Sequence, residues 1–519
     1  MKRLANTTTR AVAFVAGLSA LALSVLMSVP SRPVLATNTF GELRSSSPAD
    51  GELKLVVALF RHGVRSPTPD FWQSDADKSS RDKWPSLSDW KVMPSECDGT
   101  PPPPKGWGYL TVRGDGLAKG LGAYYGKHYR QEAWSNGFNV YLWADALNQR
   151  TRATAKALAA GFTSAGIERA KITVDSLSPC QPDPLFHPFQ LKCGKPDHDK
   201  LRRFANEIID NGSKWVNTTY SLEFSQLYSV LNCYDKSQCP NPLMLDNDND
   251  VKTCLVPSST CKSPLSWKSQ FSYASSASES FLLEYANAME ATEVGWGRVN
   301  PPADKSAKMR DMLKLHEFYF DKTDRFISEK TGTDFDLASI EGSNLIREIL
   351  DQIKRKIGLP TNGNCPRATA QSDFVGLIGH DTNLATVGAL LGLNWRFDDA
   401  ALPADTRGPP ANDALPAGAL VFELRERTDK TYFLRVEYVA QSLSQMRYGP
   451  ADKPFRLAVD GAACVQTRPC EMPLEKFEQL VNHRMRRQFL STCTGQKPPQ
   501  QTCLALPTRT TNKAKPRRG

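Results

Sequence analysis

The chain has little excess charge once its two ends are set aside, and this limits the partners it can bind. It has 519 residues, with 65 Lys plus Arg, 55 Asp plus Glu and a formal net charge of +10. The surplus lies in residues 1–36 and 504–519, which contain basic residues and no acidic ones. The residues between are nearly neutral, so we expect no nucleic-acid partner.

The 12 cysteines lack the close pairs that are typical of a zinc site. Zinc-binding cysteines usually occur as C-x₂-C with histidine partners. Here the closest pairs are separated by five or six residues: Cys233/Cys239, Cys254/Cys261 and Cys464/Cys470. Such gaps suit small disulfide loops, which persist in an oxidising compartment. Sequence spacing alone leaves the connectivity open.

Long apolar runs are scarce, and the one that spans residues 11–29 stands near the N-terminus. Lys2, Arg3 and Arg10 precede it, and Val34-Leu35-Ala36 after it puts small residues at the positions that a signal peptidase reads. This pattern predicts a signal peptide over residues 1–36, and therefore a periplasmic or secreted protein that is not inserted in a membrane after cleavage. An uncleaved membrane anchor is the alternative, because the run approaches the ~20 residues that span a bilayer.

Apolar strands before and after a helical stretch predict an α/β fold. Residues 53–60 and 374–378 are almost wholly apolar, as buried parallel strands are, and 419–424 and 432–438 read as later strands. Helical periodicity covers residues 151–162, 279–291, 307–326 and 344–357. We therefore expect an α/β core over residues 45–194 and 361–500, an α-helical insertion over 195–360, and a basic disordered tail over 504–519.

The segment that points most specifically to catalytic chemistry runs from Arg61 to Thr68 and reads RHGVRSPT. It begins where the first apolar strand ends. Ligands of open α/β sheets bind beyond the carboxyl ends of strands. Guanidinium groups such as those of Arg61 and Arg65 match phosphate oxygens in pairs. A neutral imidazole between them, here His62, can attack phosphorus as a nucleophile.

Two weaker segments have matching positions. His380 and Asp381 follow the apolar strand at 374–378, where a carboxylic acid could protonate a leaving oxygen and an imidazole could donate to phosphate. Arg150 lies at the start of a predicted helix and could reach a phosphate from the other side of a cleft. Each of these two segments is unspecific by itself.

Together the three segments resemble the histidine acid phosphatase family, whose motif RHGxRxP is matched in full at residues 61–67. The second family motif, His-Asp, is matched at His380 and Asp381. PDPLF at 182–186, GWGRV at 295–299 and GALVFE at 418–423 are similar to periplasmic bacterial phytases and glucose-1-phosphatases. The resemblance covers residues 50–495, which is nearly the whole chain after the predicted signal peptide.

The resemblance implies an exported phosphomonoesterase that acts on a small phosphate ester such as phytate or a sugar phosphate, without a metal or cofactor. It implies His62 as the nucleophile that becomes phosphohistidine and Asp381 as the proton donor. The phosphate-binding and substrate-binding residues would be Arg61, Arg65, Thr68, Arg150 and His380. The implied fold is a mixed-sheet, phosphoglycerate-mutase-like α/β sandwich with an inserted α-helical cap and a cleft between them.

The resemblance also implies disulfides between Cys193 and Cys493 and between Cys464 and Cys470. Some phytases of this group have Lys directly after the motif threonine, where this chain has Pro69, so one cationic substrate contact is missing. Met289 and His316 fall in segments that line the substrate side in relatives, although Met289 reads equally well as core filling.

Two other functions use the same residues. A phosphotransferase or mutase would share the phosphohistidine and differ in its acceptor. A non-catalytic phosphate-binding protein would have no need of a proton donor, and the presence of both His62 and Asp381 disfavours it.

Overall fold

A computed structural model describes residues 51–68, 87–95, 106–188, 219–231, 270–299, 308–322, 325, 337–361, 370–397, 409–449, 452–461, 463–467, 470–486 and 490. All of them belong to one compact unit, Leu43–Gly519. The predicted signal peptide, the basic tail, Pro69, the Cys193/Cys493 pair and the two cysteine loops of the helical stretch lie outside the described residues.

A ten-stranded mixed sheet forms the centre of the fold. Its strands are β1 Glu52–Arg61, β2 Val140–Ala144, β3 Ile172–Asp175, β4 Phe374–Gly379, β5 Leu393–Trp395, β6 Ala419–Glu426, β7 Tyr432–Ala440, β8 Phe455–Gly461, β9 Gln466–Thr467 and β10 Cys470–Pro473. The main order is β3-β2-β4-β1-β6-β7-β10-β9, and β8 pairs with β5 and β7. Strands β3, β2, β4 and β1 run parallel, whereas β6 is antiparallel to β1.

Helices cover both faces of this sheet. The α-helices are α1 Leu87–Trp90, α2 Val112–Glu132, α3 Gln149–Ser164, α4 Ser221–Leu231, α5 Gln270–Ala286, α6 Lys308–Lys322, α7 Leu337–Lys356, α8 Asp381–Leu391, α9 Leu443–Tyr448 and α10 Leu474–Arg484. Short 3₁₀ turns occupy Arg169–Lys171 and Val294–Gly297. The predicted mixed α/β sandwich is confirmed, while the division into a core and a separate cap over 195–360 stays a prediction.

Strand β1 is buried on both faces, which explains why its sequence is almost wholly apolar. Leu55, Val57 and Leu59 pack into one hydrophobic cluster. Val56 and Phe60 point to the opposite face and join a second cluster with side chains of α2 and α3. Because successive side chains of a strand point to opposite faces, β1 contributes to a hydrophobic cluster on each face of the sheet.

Two helices differ from their predicted bounds by more than four residues at an end, and the one expected over 279–291 already begins at Gln270. The helix expected over 279–291 ends at Ala286, because the backbone reverses at Ala288, which has a φ of 59°. The helix expected over 344–357 begins earlier, at Leu337. Its first turns carry Ser339 and Ser343, which are polar but buried, and the Ser343 hydroxyl donates to the Ser339 carbonyl. These polar residues interrupt the apolar periodicity from which the helix was predicted.

Among the described residues, no helix is both long enough and apolar enough to cross a bilayer. The predicted disulfide between Cys464 and Cys470 is present and joins the residues around the β9–β10 hairpin. Cys180 is also disulfide-bonded.

Candidate active site

The two histidine-bearing segments meet because their strands are parallel neighbours. In the register of β1 and β4, Arg61 lies opposite Gly379. The backbone N–H of His62 then donates to the carbonyl of Gly379 at 2.9 Å. This leaves the rings of His62 and His380 with their centroids 5.4 Å apart. The carboxyl edge of the sheet thus brings together residues that are more than three hundred positions apart in the sequence.

His62 is held in one orientation by its own loop. Its Nδ1 is 2.8 Å from the carbonyl oxygen of Gly63, a contact that requires a proton on Nδ1. Nε2 therefore carries the lone pair of the neutral ring. Burial, together with the charges of Arg150 and Arg61, lowers the pKa of His62 well below its ordinary value. The ring is consequently a neutral nucleophile over the mildly acidic and neutral range.

Three arginines surround this imidazole, and two of them are paired with carboxylates. Arg61 contacts Asp381 at 2.9 Å and also bonds to Glu279, while Arg65 contacts Glu279 at 3.0 Å. Burial opposes the charge of Arg61, but Asp381 and Glu279 outweigh burial and raise the pKa of the guanidinium. Arg150 has weaker anionic support, and burial together with the charge of Arg65 lowers its pKa to about 9.

Each of these arginines keeps an unused donor. The buried Nε atoms of Arg61, Arg65 and Arg150 have no hydrogen-bond partner among the described residues. A buried N–H without an acceptor is costly, and the positive charges of all three arginines act on the His62 ring, so an anion is a favourable partner for them. The oxygens of a phosphate group fit this requirement.

Glu279 is a residue of the site that the sequence analysis missed. It lies in the middle of α5 and is 8% exposed, and its two carboxylate oxygens bond to Arg61 and Arg65. No motif marks it. The available signal was an acidic residue on the buried face of the predicted helix, close to Phe281 and Leu282 in sequence. A buried carboxylate needs a cationic partner, and the arginine motif supplies two.

Asp381 begins α8 and is ionised in the substrate-free protein. Its Oδ1 accepts the N–H of Thr382 at 2.9 Å, and its Oδ2 faces Arg61. Burial alone would raise its pKa, but the charges of Arg61 and Arg65 outweigh burial and hold the pKa of Asp381 below its ordinary value. To act as a proton donor, Asp381 must therefore first lose part of its pairing with these arginines.

His380 and Arg150 lie close to each other and to the His62 ring. His380 Nδ1 is 3.4 Å from an Nη atom of Arg150, and its Nε2 is 2.9 Å from Asp145. Burial and the charge of Arg150 outweigh Asp145 and lower the pKa of His380 to about 4. That Arg150 and His380 bind a phosphate in a cleft stays a prediction.

The other candidate residues have different surroundings. Thr68 is half-buried, and a side chain on Gly108 would lie 3.6 Å from Arg150 and 3.7 Å from Thr68, so Gly108 keeps the space between them open. His316 lines a pocket together with Asp381 and is buried. Met289 belongs to the hydrophobic core, which supports its interpretation as core filling.

Three groups of described side chains bring together ligand types that could hold a metal ion. They are Asp145 with His187 and His380, His128 with Glu132 and Glu423, and Glu279 with His316 and Asp381. Arginines already pair with carboxylates of the second and third groups, and Arg150 lies beside the first. These positive charges repel a divalent cation, so the groups are better described as ion-pair networks.

Comparisons with known proteins show the family to which the chain belongs. A family model described as the histidine phosphatase superfamily (branch 2) matches residues 52–439. Phytase AppA of Escherichia coli (strain K12) is 30% identical over 461 residues, which cover 84% of this chain and 93% of that protein. Glucose-1-phosphatase of Providencia rettgeri is 24% identical, with 82% of this chain and 88% of that protein covered.

Solved structures of phytases share this fold. The Hafnia alvei phytase in complex with myo-inositol hexakis sulphate aligns with a TM-score of 0.63 at 24% identity, covering 85% of this chain and 99% of that chain. The phytase of Klebsiella sp. ASR1 aligns with a TM-score of 0.64 at 21% identity, covering 88% and 98%.

Proposed function

The chain belongs to branch 2 of the histidine phosphatase superfamily, and from this premise we propose that it hydrolyses small phosphate esters through a phosphohistidine on His62. The observation that carries the proposal is the set of three arginines, Arg61, Arg65 and Arg150, whose charges act on His62 and whose buried Nε–H donors have no partner among the described residues. A phosphate group would occupy that position, with its phosphorus in front of the Nε2 lone pair. Phosphoryl transfer depends mainly on such positioning and charge stabilisation.

In the first step, Nε2 of His62 attacks phosphorus and the ester P–O bond breaks. The leaving oxygen takes a proton from Asp381. In the second step, a water attacks the phosphohistidine, Asp381 takes the proton of that water, and inorganic phosphate leaves with the Nε2 lone pair restored. Arg61, Arg65 and Arg150 offset the charge of the transferred group in both steps.

The proton on Asp381 follows from the electrostatics of binding. Arg61 and Arg65 hold the pKa of Asp381 low while the site has no substrate. Phosphate oxygens that pair with these guanidinium groups weaken that effect and add negative charge beside the carboxylate. Both changes raise the pKa of Asp381, so substrate binding favours the protonated form that the first step requires.

Substrate range and location are parts of the same proposal. Small phosphate esters such as phytate or a sugar phosphate are candidates because phytase AppA and a glucose-1-phosphatase are among the relatives. Pro69 stands where some phytases have a lysine, which removes one cationic contact for a multiply phosphorylated ring. We also propose export to the periplasm or beyond, supported by the N-terminal pattern and by the disulfide between Cys464 and Cys470.

The test compares esters with alkyl and aryl leaving groups. Wild-type protein should release phosphate from glycerol phosphate, glucose 1-phosphate or phytate, and from p-nitrophenyl phosphate. Asp381→Asn should lose about 10²–10⁴-fold in the phosphorylation step with alkyl esters, because an alkoxide needs a proton as it leaves. The loss with p-nitrophenyl phosphate should be much smaller, since that phenolate is stable without the proton.

Burst kinetics separate phosphorylation from the second step, which Asp381 also assists. Asp373→Asn is the matched control, since Asp373 pairs with Lys356 at the opposite end of β4 and should keep full activity. Equal losses on alkyl and aryl esters would remove Asp381 as the proton donor. Failure of the wild-type protein to release phosphate from any ester would contradict the proposed function as a whole.

A further inference from the structure

A single buried carboxylate oxygen connects His380 to a second histidine. Oδ2 of Asp145 lies 2.9 Å from Nε2 of His380 and 3.0 Å from Nε2 of His187. The amide of Asn148 donates to the same oxygen at 3.1 Å, and the N–H of Leu147 donates to Oδ1 at 3.1 Å. Asp145 has no exposed surface. The family resemblance implies that His380 binds phosphate, and the reaction described above assigns no role to Asp145 or His187.

The hydrogen bonds determine which nitrogen of each ring carries a proton. Although burial would raise it, hydrogen bonds from His187 and His380 hold the pKa of Asp145 well below its ordinary value. An ionised carboxylate accepts hydrogen bonds and donates none, so both imidazoles present Nε2–H to it. The neutral ring of His380 then has its lone pair on Nδ1, which faces Arg150 at 3.4 Å.

This tautomer has a consequence for phosphate binding. A neutral His380 has no N–H left to donate to a phosphate oxygen from Nδ1. Only the imidazolium form can do so, and its positive charge is stabilised by the Asp145 carboxylate on the other side of the ring. Binding of an anion would therefore be accompanied by uptake of a proton at Nδ1 of His380.

We propose that Asp145 is a positioning residue that fixes the Nε2–H tautomer of His380 and stabilises its imidazolium when an oxyanion binds. His187 competes for the same oxygen and weakens that support. The inference rests on the proposed function, because it assumes that the oxyanion binds between Arg150 and His380. The affinity for phosphate then depends on the buried carboxylate of Asp145, which does not itself contact the phosphate.

His380 is surrounded by charged and titratable groups from several elements. They are Asp145, Arg150, His62, His187 and Asp381. Asp145 is the group that directly hydrogen-bonds to His380 and favours its charged form, whereas Arg150 and His187 oppose that form. The same three ligand types in Asp145, His187 and His380 could bind a divalent cation, but Arg150 beside His380 makes the hydrogen-bonded arrangement the favoured one.

The experiment measures sulfate binding by calorimetry between pH 4 and pH 8. Sulfate is a tetrahedral dianion that does not titrate in this range, so the protein alone produces the pH dependence. For the wild-type protein, we expect affinity to fall as pH rises, with net proton uptake detected by repeating titrations in buffers of different ionisation enthalpy. We call the pH range over which the sulfate affinity falls the falling limb. In Asp145→Asn the falling limb should move to lower pH by about one unit or more, because the imidazolium of His380 loses its hydrogen bond to a negatively charged carboxylate.

In a second variant, the falling limb should move in the opposite direction. His187→Leu cannot donate to Oδ2, so Asp145 supports His380 alone and the falling limb should move to higher pH. Asp183→Asn is the matched control for loss of a buried carboxylate, since Asp183 accepts the indole N–H of Trp143 at 2.7 Å. It should lower the melting temperature without moving the limb.

Turnover supplies an independent readout. Asp145→Asn should lower kcat/KM for p-nitrophenyl phosphate about 10- to 100-fold, the range expected for a lost hydrogen bond to a charged group. The proposal would be overturned if the falling limb stayed in place in both variants, or if it moved in the same direction in both. Neither result would count against the proposed phosphatase activity. Saturable zinc binding by the wild-type protein that is abolished in His187→Leu would show a metal site at these residues instead, and this result would also overturn the proposal. Absence of wild-type turnover would count against the proposed function rather than against this inference.

Discussion

Glu279 occupies the position of an anion in the substrate-free protein, because its two carboxylate oxygens bond to Arg61 and Arg65. A phosphate group that engages the same guanidinium groups must compete with it. The charge of Arg65, followed by that of Arg61, outweighs burial and lowers the pKa of Glu279, which favours the ionised carboxylate. At the scale of single residues, the site is therefore built around an exchange of one anion for another.

Glu279→Gln keeps the shape of the side chain and removes its charge. Two buried arginines then lose their anionic partner, which should lower the melting temperature in the absence of phosphate. Added inorganic phosphate replaces the missing charge, so it should raise the melting temperature of this variant more than that of the wild type. Thermal unfolding with and without phosphate measures both effects.

Glu284→Gln on the same helix is the control for this prediction. Glu284 is fully buried and accepts the N–H of Gly295, and burial raises its pKa to about 8, so it is already neutral at acidic pH. Its substitution should leave the response to phosphate as in the wild type. An equal response to phosphate in Glu279→Gln would show that Glu279 and phosphate do not compete for the arginines.

Single residues were predictable where a motif combined them. The RHGxRxP segment predicted Arg61, His62 and Arg65 because an apolar strand leads directly into it. Glu279 was not predictable in this way, since a lone glutamate in a helix carries no spacing that relates it to a distant arginine. Asp145 was missed for a similar reason, because its importance depends on the folded position of His380.

Helices α2 and α3 approach each other closely through glycines. A Cβ on Gly122 would lie 2.1 Å from the carbonyl oxygen of Leu158, and one on Gly161 would lie 2.0 Å from that of Lys119. Neither distance leaves room for a methyl group. This contact fixes the position of α3, whose second residue is Arg150.

Gly122→Ala should destabilise the protein by about 1–3 kcal/mol or more, because the helices must move apart. Alanine has the higher helix propensity by ~1 kcal/mol, so the sign of the effect distinguishes packing from propensity. Gly116→Ala on the same helix is the matched control, since no atom lies within 4 Å of its Cβ position. It should be neutral or stabilising in urea unfolding, and stabilisation by both substitutions would contradict the close packing.

Helices with a long periodic pattern and strands with a clear apolar run could be predicted from the sequence. The strands at 53–60 and 374–378 correspond to β1 and β4, and each predicted helix overlaps an observed one. Strands β2 and β3 were not predicted. Strand β3 has only one buried residue and therefore no apolar run, whereas β2 is a buried run as long as the predicted strand at 374–378, so its pattern could have been recognised. Since β2 pairs in parallel with β4, its carboxyl end delivers Arg150 to the edge where β1 and β4 end.

At the scale of the whole molecule, the sheet order determines the site. The parallel neighbours β2, β4 and β1 each end at the same edge, and each is followed by residues of the site: Arg150, His380 with Asp381, and Arg61 with His62. The sequence predicted a mixed α/β sandwich but not this order, because strand pairing depends on contacts between distant segments. The antiparallel strands β6 and β7 then extend the sheet on the side of β1.

In the proposed reaction, the phosphoryl group passes through a covalent bond to Nε2 of His62. Wild-type protein should be mixed with p-nitrophenyl phosphate, quenched in alkali within one turnover, digested and examined by mass spectrometry. We predict phosphorylation on His62 that forms during the burst and disappears when substrate is exhausted. His62→Ala should show no phosphopeptide and nearly no turnover while keeping its fold by circular dichroism. A folded His62→Ala protein that retains most of its activity, or a phosphoryl group trapped on another residue, would contradict the account.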